Sequence, residues 1–415
     1  MLFLCLIVIY LYLDEFTLAF TPKIVWGHSA VFADSRIYIT GGIIPISQDS
    51  FKGEHSKEFY YLNIGKPFGV EAGDKLPWVD LSPVSQILPT HAWSAFSNCG
   101  DSLILYIGES NGSVEYGDVY TYNLQQWNNL MTINSPPSYY HSRSQTVCDK
   151  TGKMYRFGGN FQPIGNPVIN NKMNILDIHT RVWRSSGAPV GMYDHTGTLL
   201  PNGYIVYIGG RFNELLVNMS KLLLYNINDN TWTPKETFGD TPTSRAYHSA
   251  VLTQDGRIIV YGGIDDTAAD DLVILDTSQA NFTWSIANVS TKSPLSRTYH
   301  TATLVGHYMI VIFGKNNEFI SPTTQNEVFI LDTSDKSNYK WISKFDPNLI
   351  LPTSPTTPDQ NLSTRNRNLE KTTIKNRYVC TLSTDKLMPT LRKKWLLIFC
   401  YTKHYIMCIK IGDEH

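Results

Sequence analysis

The sequence predicts an all-β protein built from repeated four-stranded antiparallel sheets. One unit, from Ser244 to Trp284, holds four short apolar segments that are joined by turn residues. Its Asp255-Gly256 pair lies between two β-rich runs, and this is the strongest short-range signal for a tight hairpin. Such a small sheet is apolar on both faces and cannot bury itself, so the unit requires copies of itself along the chain.

Three markers show that the unit occurs six times, with a period of about 50 residues. A histidine opens the first segment at His28, His91, His141, His195, His248 and His300. A glycine pair follows the second segment at Gly41-Gly42, Gly158-Gly159, Gly209-Gly210 and Gly262-Gly263, and is reduced to Gly108-Glu109 and Gly314-Lys315 in the second and sixth copies. A tryptophan closes the unit at Trp78, Trp127, Trp183, Trp232, Trp284 and Trp341.

These markers resemble those of the kelch-repeat family of β-propellers, and the resemblance covers residues 24–346. It implies a six-bladed kelch β-propeller with four antiparallel strands per blade, closed radially so that only short, protected sheet edges remain. The first copy is stretched by insertions at 43–58 and 63–77, which we place in loops because loops absorb extra residues at low entropic cost.

The glycine pairs and the tryptophans are interpreted as structural. A strand that turns close to the propeller axis meets crowded backbone, where only a residue without Cβ turns freely. Large aromatic rings fill the wedge between neighbouring sheets. Since each feature occurs in blade after blade, it serves a task that all blades share.

The histidines admit two interpretations. Members of the resembled family that are copper-radical oxidases, galactose oxidase among them, use a Tyr-His pair such as Tyr247-His248, and imidazole binds copper or zinc. The interpretation we favour is that each histidine bonds a neighbouring backbone group, because equivalent positions on different blades spread around a ring instead of converging on one metal. We therefore predict no metal, no cofactor and no catalytic residue.

The flanking segments favour export. Residues 1–20 contain an apolar run that is typical of a signal peptide or an N-terminal anchor. Glycosylation triplets occur at Asn111, Asn218, Asn281, Asn288 and Asn361. Residues 352–378 are predicted to be a disordered polar stalk, and 379–415 a tail with a possible degraded membrane segment. These features predict a secreted or cell-surface protein.

Cysteine gives no disulfide framework. Of six cysteines, Cys99 and Cys148 lie within the repeats, in similar turns of successive copies. A bridge between them is conceivable, but we expect two free, partly buried thiols.

Composition narrows the function. The net charge is −1 and the charged fraction 17%, which disfavours nucleic acid because phosphate binding calls for a positive patch. We predict a secreted or membrane-tethered module that binds a protein or a glycan through the loops of one face. Tyrosine and arginine dominate interface hot spots, and the predicted binding residues are Tyr140, Arg211, Asn213, Arg245, Tyr247, Arg297, Tyr299 and Lys315. The alternatives are a copper-radical oxidase of sugars or alcohols and an intracellular kelch scaffold in the cytoskeleton or cell polarity.

Overall fold

The computed structural model describes residues 20–46, 53–110, 118–136, 144–161, 168–264, 272–316 and 328–350. Apart from two 3-10 turns, Ser82–Val84 and Pro347–Leu349, the regular structure in these ranges is β. The leader before residue 20, the aspartate-rich segment 265–271, and the predicted stalk and tail lie outside the described residues. The bounds given above for the signal segment (1–20), the stalk (352–378) and the tail (379–415) remain predictions.

The described residues form six four-stranded antiparallel blades, each from one repeat and ordered from the axis outward as in the sequence. Blades one and two contain Ser29–Ala33, Arg36–Thr40, Phe59–Asn63, Trp78–Asp80 and Ala95–Asn98, Leu103–Tyr106, Val119–Tyr122, Trp127–Asn129. Blades three and four contain Thr146–Cys148, Lys153–Phe157, Lys172–Asp177, Val182–Gly187 and Thr196–Leu199, Tyr204–Ile208, Lys221–Asn226, Thr231–Gly239. Blades five and six contain Ser249–Leu252, Arg257–Tyr261, Leu272–Asp276, Phe282–Ile286 and Thr301–Val305, Tyr308–Ile312, Val328–Asp332, Lys340–Ile342.

The innermost strands form a closed ring, in which each contacts the next and that of blade six contacts that of blade one. No described strand is exchanged between the first and last blades, and packing of their side chains contributes to closure. A cluster that includes Ile37, Ile39, Ile310 and Ile312 fills the junction. The predicted propeller is therefore confirmed as an all-β ring of blades.

Short two-stranded ladders extend the ends of the blades. They pair Ile43–Pro45 with Gly53–His55, His91–Ala92 with Glu109–Ser110, Asn160–Phe161 with Val168–Ile169, Arg211–Phe212 with Leu215–Leu216, Arg297–Thr298 with Lys315–Asn316, and Phe68–Gly69 with Lys344–Phe345. The first of these lies within the insertion at 43–58, and the last includes Phe68–Gly69 of the insertion at 63–77, so neither insertion is wholly a loop. The last ladder pairs the second insertion with the segment after blade six and so helps to close the ring. A parallel pairing of Thr237–Gly239 with Phe282–Trp284 also joins blades four and five.

The closing tryptophans pack between blades, as predicted. Trp127 lies 5.0 Å from the ring of Phe59 in blade one, and Trp341 lies 5.1 Å from the ring of Tyr261 in blade five. Trp78 stacks on Phe313 of blade six at 5.7 Å. Each ring thereby fills the wedge between its own blade and the preceding one.

Candidate functional site: the upper mouth of the central channel

The channel between the innermost strands opens at two ends. We call the end where these strands begin the upper mouth and the end where they finish the lower mouth. A cavity of about 260 Å3 lies at the upper mouth, and its lining includes His28, Trp93, Tyr247 and Tyr299. The predicted binding residues that the structure describes lie in the loops and ladders at this end.

Just before each innermost strand, one residue of every blade lies on a ring around the channel, and we call this place the ring position. Four blades carry a buried histidine there: His28, His195, His248 and His300. Three of these rings reach the preceding blade. His248 Nε2 lies 3.1 Å from Thr196 Oγ1, His300 Nε2 lies 2.8 Å from Ser249 Oγ, and His28 Nε2 lies 2.9 Å from Thr301 Oγ1. These three contacts are to side-chain hydroxyls, and backbone contacts of the expected kind accompany them at His248 with Ile208 and at His300 with Arg297. The histidines therefore fasten neighbouring blades.

The prediction that His91 belongs to this ring is wrong. Its carbonyl accepts the N–H of Gly42 at 2.8 Å, just as the carbonyl of Arg245 accepts that of Gly210. His91 thus occupies the position of Arg245, three residues before the ring. Strand pairing places Ser94 at the ring position of blade two.

Blade three shows the same shift. Thr146 pairs with Arg156, one residue before the end of the second strand, so Ser144 stands at the ring position. His141 lies outside the described residues. The sequence carries a signal that would have revealed both shifts: a ring histidine precedes the second glycine by 14 or 15 residues, as from His28 to Gly42, whereas His91 precedes Gly108 by 17.

The glycine pair makes room for the histidines. A Cβ on Gly262 would lie 2.4 Å from the carbonyl oxygen of Arg297 and 3.0 Å from Cε1 of His300 in the next blade. A Cβ on Gly263 would lie 3.0 Å from Cβ of His248 in its own blade. Both glycines have positive φ, at +67° and +99°. The structural interpretation of the glycines thus has a specific cause, because each pair lies between two ring residues.

The prediction that Arg245 and Arg297 lie on the binding surface is wrong, because their exposed fractions are only 1% and 2%. Arg245 Nη1 donates to the carbonyl of Gly262 at 3.2 Å, and Arg297 Nη1 donates to that of Phe313 at 3.0 Å. Phe313 holds the first glycine position of blade six with φ +52°. The two arginines repeat one architectural contact in successive blades and are not accessible to a partner.

Just outside the histidines, a set of residues with left-handed backbone forms a second ring. Its described members are Gly27, Trp93, Asp194, Tyr247 and Tyr299, with φ between +54° and +64°. Each N–H donates to the carbonyl of the member in the preceding blade, from Tyr247 to Asp194, Tyr299 to Tyr247, Gly27 to Tyr299 and Trp93 to Gly27, at 2.9 to 3.2 Å. Non-glycine residues in this conformation are uncommon and often mark functional positions.

The side chains of this second ring form an aromatic surface at the mouth. Tyr247 and Tyr299 have ring centroids 4.3 Å apart, and Trp93 lies 4.9 Å from Tyr299. All three are half-buried. We call Trp93, Tyr247 and Tyr299 the aromatic arc. Trp93 was missed from the sequence because blade two was aligned on the wrong histidine.

A β-hairpin borders the aromatic arc. Its turn, Asn213-Glu214, has positive φ at both positions, as a type I′ turn requires. The exposed side chains of Phe212 and Leu215 flank the turn. The guanidinium of Arg211 lies 5.8 Å from the ring of Tyr247 and donates to the carbonyl of Glu214 at 2.8 Å. Arg211, Asn213, Tyr247 and Tyr299 are thus brought to one face.

The two remaining predicted residues differ in position. Lys315 is half-buried and pairs with Thr298 in a short ladder, and Tyr140 lies outside the described residues. Within the described ranges, no group of three or more His, Cys, Asp or Glu side chains could hold a metal ion. The described ranges also contain no helix that is long and apolar enough to cross a membrane.

Burial keeps the ring histidines neutral. It lowers the pKa of His28, His195 and His248 from 6.5 to about 3, and that of His300 well below 6.5. Burial also lowers the pKa of His91 to about 4. Neutral imidazoles can act as acceptor or donor toward the neighbouring hydroxyls. The ring histidines thus carry no charge at neutral pH. The aromatic surface outside them is the better candidate for recognition.

The cysteine prediction is corrected. Cys99 and Cys148 form a disulfide with Cα atoms 5.2 Å apart, within the range for such bonds. The bridge joins the lower ends of the innermost strands of blades two and three. The two turns lie in neighbouring blades, as the repeat alignment indicated, but the expectation of free thiols is wrong.

Comparison with known proteins gives the same fold. Residues 194–348 match the KLHDC2/KLHL20/DRC7 kelch-repeats domain family. Acyl-CoA-binding domain-containing protein 5 of Arabidopsis thaliana is 25% identical over 77% of this chain and 48% of its own length. The Rab9 effector protein with kelch motifs of Mus musculus is 28% identical over 49% of this chain and 56% of its own. The chain therefore spans about half the length of these relatives. The solved structure of YjhT superimposes with a TM-score of 0.57 at 14% identity, covering 78% of this chain and 99% of that one.

Proposed function

We propose that this chain, which is a kelch-repeat β-propeller, is an exported module that binds another protein through its upper mouth. The observation that carries the proposal is the aromatic arc. Trp93, Tyr247 and Tyr299 have left-handed backbone at the mouth. The histidines and arginines of the same loops are buried and make structural contacts. Tryptophan, tyrosine and arginine are enriched in interface hot spots.

The surroundings of the arc fit a protein partner. Phe212 and Leu215 expose 42% and 73% of their surface at the hairpin beside it. Arg211 adds a charged group at the edge, which matches the usual plan of an apolar centre with a polar rim. Among the relatives, the Rab9 effector protein with kelch motifs is named for a protein partner.

Export is the second part of the proposal. A disulfide persists in oxidising compartments and is rare in the cytosol, so Cys99–Cys148 supports it. Of the predicted glycosylation sites, Asn218, Asn281 and Asn288 are exposed, whereas Asn111 and Asn361 lie outside the described residues. Asn288 already donates its amide to the carbonyl of Ser337 at 2.8 Å, which makes Asn218 and Asn281 the better acceptors.

Export is tested by expressing the full chain in secreting eukaryotic cells. We expect a glycosidase-sensitive mass increase that becomes smaller in the variant with Asn218→Gln and Asn281→Gln. A protein that stays in the cytosol and shows no glycosidase shift would contradict export and would leave the binding surface untested by this experiment.

The binding surface is tested by quantitative crosslinking capture from the culture medium and cell surface of those cells. The face variant replaces Trp93, Tyr247 and Tyr299 by Asn, a residue that tolerates the left-handed conformation. The control variant replaces Phe32, at the lower mouth, by Asn. We expect proteins that the wild type and the control retain and the face variant loses, with all three chains equally folded. Equal retention by all three would contradict the proposal.

A glycan ligand competes for the same surface. Treating the captured partner with glycosidases before rebinding separates the two possibilities. Retention after treatment supports recognition of the protein itself, whereas loss assigns the contact to carbohydrate.

A further inference from the structure

The fastening between blades differs around the ring. At three of the described junctions, namely blades four to five, five to six and six to one, a ring histidine reaches a hydroxyl of the preceding blade. Blade three has Ser144 at that position, and the residue it would have to reach in blade two is Ala95, which has no hydroxyl. The histidine link is therefore lacking between blades two and three. It is also lacking between blades one and two, where Ser94 stands at the ring position, and among the described contacts His195 of blade four has no hydroxyl partner in blade three.

Blade two also differs at the first glycine position. In blades three, four and five this glycine gives room to the histidine of the next blade. A Cβ on Gly209, for example, would lie only 2.7 Å from Cε1 of His248. Blade two carries the fully buried Ile107 in this place. Blade six likewise carries a large residue there, Phe313, and still accepts the contact from His28, so Ile107 by itself does not exclude a histidine link.

Other bonds cross this junction instead. Ser97 Oγ lies 2.6 Å from Thr146 Oγ1 and donates to the Thr146 carbonyl at 3.1 Å. Two residues further along each chain segment, toward the lower mouth, Cys99 and Cys148 are joined covalently. We propose that this disulfide is a thiol-exchange site that fastens blades two and three in place of the missing histidine contact, and that dithiols entering the lower mouth open it at Cys148.

The two sulfurs are not equally accessible. Cys99 exposes 1% of its surface and packs among Tyr106, Met154 and Trp183. Cys148 is half-buried and lines the lower cavity of about 370 Å3. An attacking thiolate therefore approaches Cys148, and Cys99 is the leaving group.

The exchange balances with a dithiol as the reductant. The thiolate of the dithiol bonds to Cys148 Sγ while the Cys99–Cys148 bond breaks, and Cys99 leaves as a thiolate that takes a proton. The second thiol of the reagent then attacks this mixed disulfide and releases Cys148. The dithiol is oxidised to a disulfide, and the protein gains two thiols.

Opening the bond leaves the hydroxyl pair and the apolar cluster to hold the junction. We expect the effect to be confined to the inner strands of blades two and three, since the histidine contacts of the other junctions contain no sulfur. Local opening of this kind is visible as faster amide hydrogen exchange.

The test uses the folded full chain and glutathione, with an alkylating agent added to trap the freed Cys99 thiol and so hold the mixed disulfide. Mass spectrometry after alkylation should find glutathione on Cys148 and the alkyl label on Cys99. After full reduction by dithiothreitol, amide exchange in Ala95–Asn98 and Thr146–Cys148 should become about tenfold faster, with Ser249–Leu252 unchanged. The variant with Cys99→Ser and Cys148→Ser should reproduce the reduced pattern.

Three results would overturn the proposal. They are glutathione on Cys99, a bond that yields to reductant only after unfolding, and an exchange increase spread evenly over all innermost strands. The first two deny access through the lower mouth, and the third denies that the bond acts locally. Reduction of the wild type gives this answer even if the double variant does not fold.

Discussion

Two layers of side chains meet at the upper mouth, and they differ in purpose although they are adjacent in sequence. Tyr247 and Tyr299 belong to the outer layer, where their rings face the cavity, whereas His248 and His300 belong to the inner layer and bond the neighbouring blade. The left-handed residue turns the chain so that consecutive side chains enter different surroundings. A recurring motif can therefore contain one residue for recognition among several for architecture.

Acidification should give the largest effect on stability, because it protonates the histidines of the inner layer and leaves the aromatic rings of the outer layer unchanged. Burial lowers the pKa of His28, His195 and His248 to about 3, whereas in the unfolded chain they titrate near 6.5. Between these values the unfolded state binds more protons, so stability is full above pH 6.5 and falls toward pH 3. Each histidine should lose roughly 2 kcal/mol of stability by pH 5.

Thermal unfolding measured at pH 7, 6 and 5 checks this expectation. We expect Tm to fall steeply over the range, and His248→Asn to be less stable at pH 7 but less dependent on pH. A Tm that is constant from pH 7 to 5 would show that the histidines are not held neutral by burial.

The glycine pairs give the next largest effect. Gly262→Ala places a Cβ 2.4 Å from the carbonyl oxygen of Arg297 at a position with φ +67°. Strain and overpacking together should lower the free energy of unfolding by about 3 kcal/mol. Gly187→Ala is the matched control, because nothing lies within 4 Å of its Cβ position. Chemical denaturation compares the two, and equal stabilities would contradict the close fit around the ring histidines.

The arginines should rank third. Arg245→Met removes the donor that satisfies the carbonyl of Gly262, a loss of about 1.5 to 3 kcal/mol for a bond to a charged group. Arg211→Met removes a half-buried guanidinium at the mouth and should change stability by less than about 0.5 kcal/mol. If denaturation ranked the two in the opposite order, the assignment of Arg245 to architecture would fail.

The outer layer should affect stability least and binding most. Replacing Tyr247 by Asn removes its ring contact with Tyr299, worth about 0.5 to 1.5 kcal/mol. Binding of a captured partner should weaken by at least about tenfold, as for hot-spot residues. Calorimetric titration with that partner measures the loss, and unchanged affinity would remove Tyr247 from the interface.

The sequence predicted the ring of four-stranded blades because hairpin turns, glycine pairs and tryptophans recur at fixed spacing. It misplaced His91 because the copies were aligned on residue type. Histidine can stand at two positions three residues apart in the same loop, and only the strand register shows which of the two it occupies. Burial of Arg245 and Arg297 was equally invisible, since arginine is usually exposed and only the nearby carbonyls of Gly262 and Phe313 explain its place inside. The Cys99–Cys148 bond depends on the adjacency of two blades whose cysteines are 49 residues apart.

The most direct test of the binding surface is site-specific photo-crosslinking with a photoreactive phenylalanine analogue. The analogue would be placed at Tyr247 in the upper mouth or at Phe32 in the lower mouth, in the exported full chain. We predict crosslinked partner adducts from position 247 and none from position 32. Adducts from position 32 alone, or from neither position, would contradict the assignment of the upper mouth as the site where this propeller binds its partner.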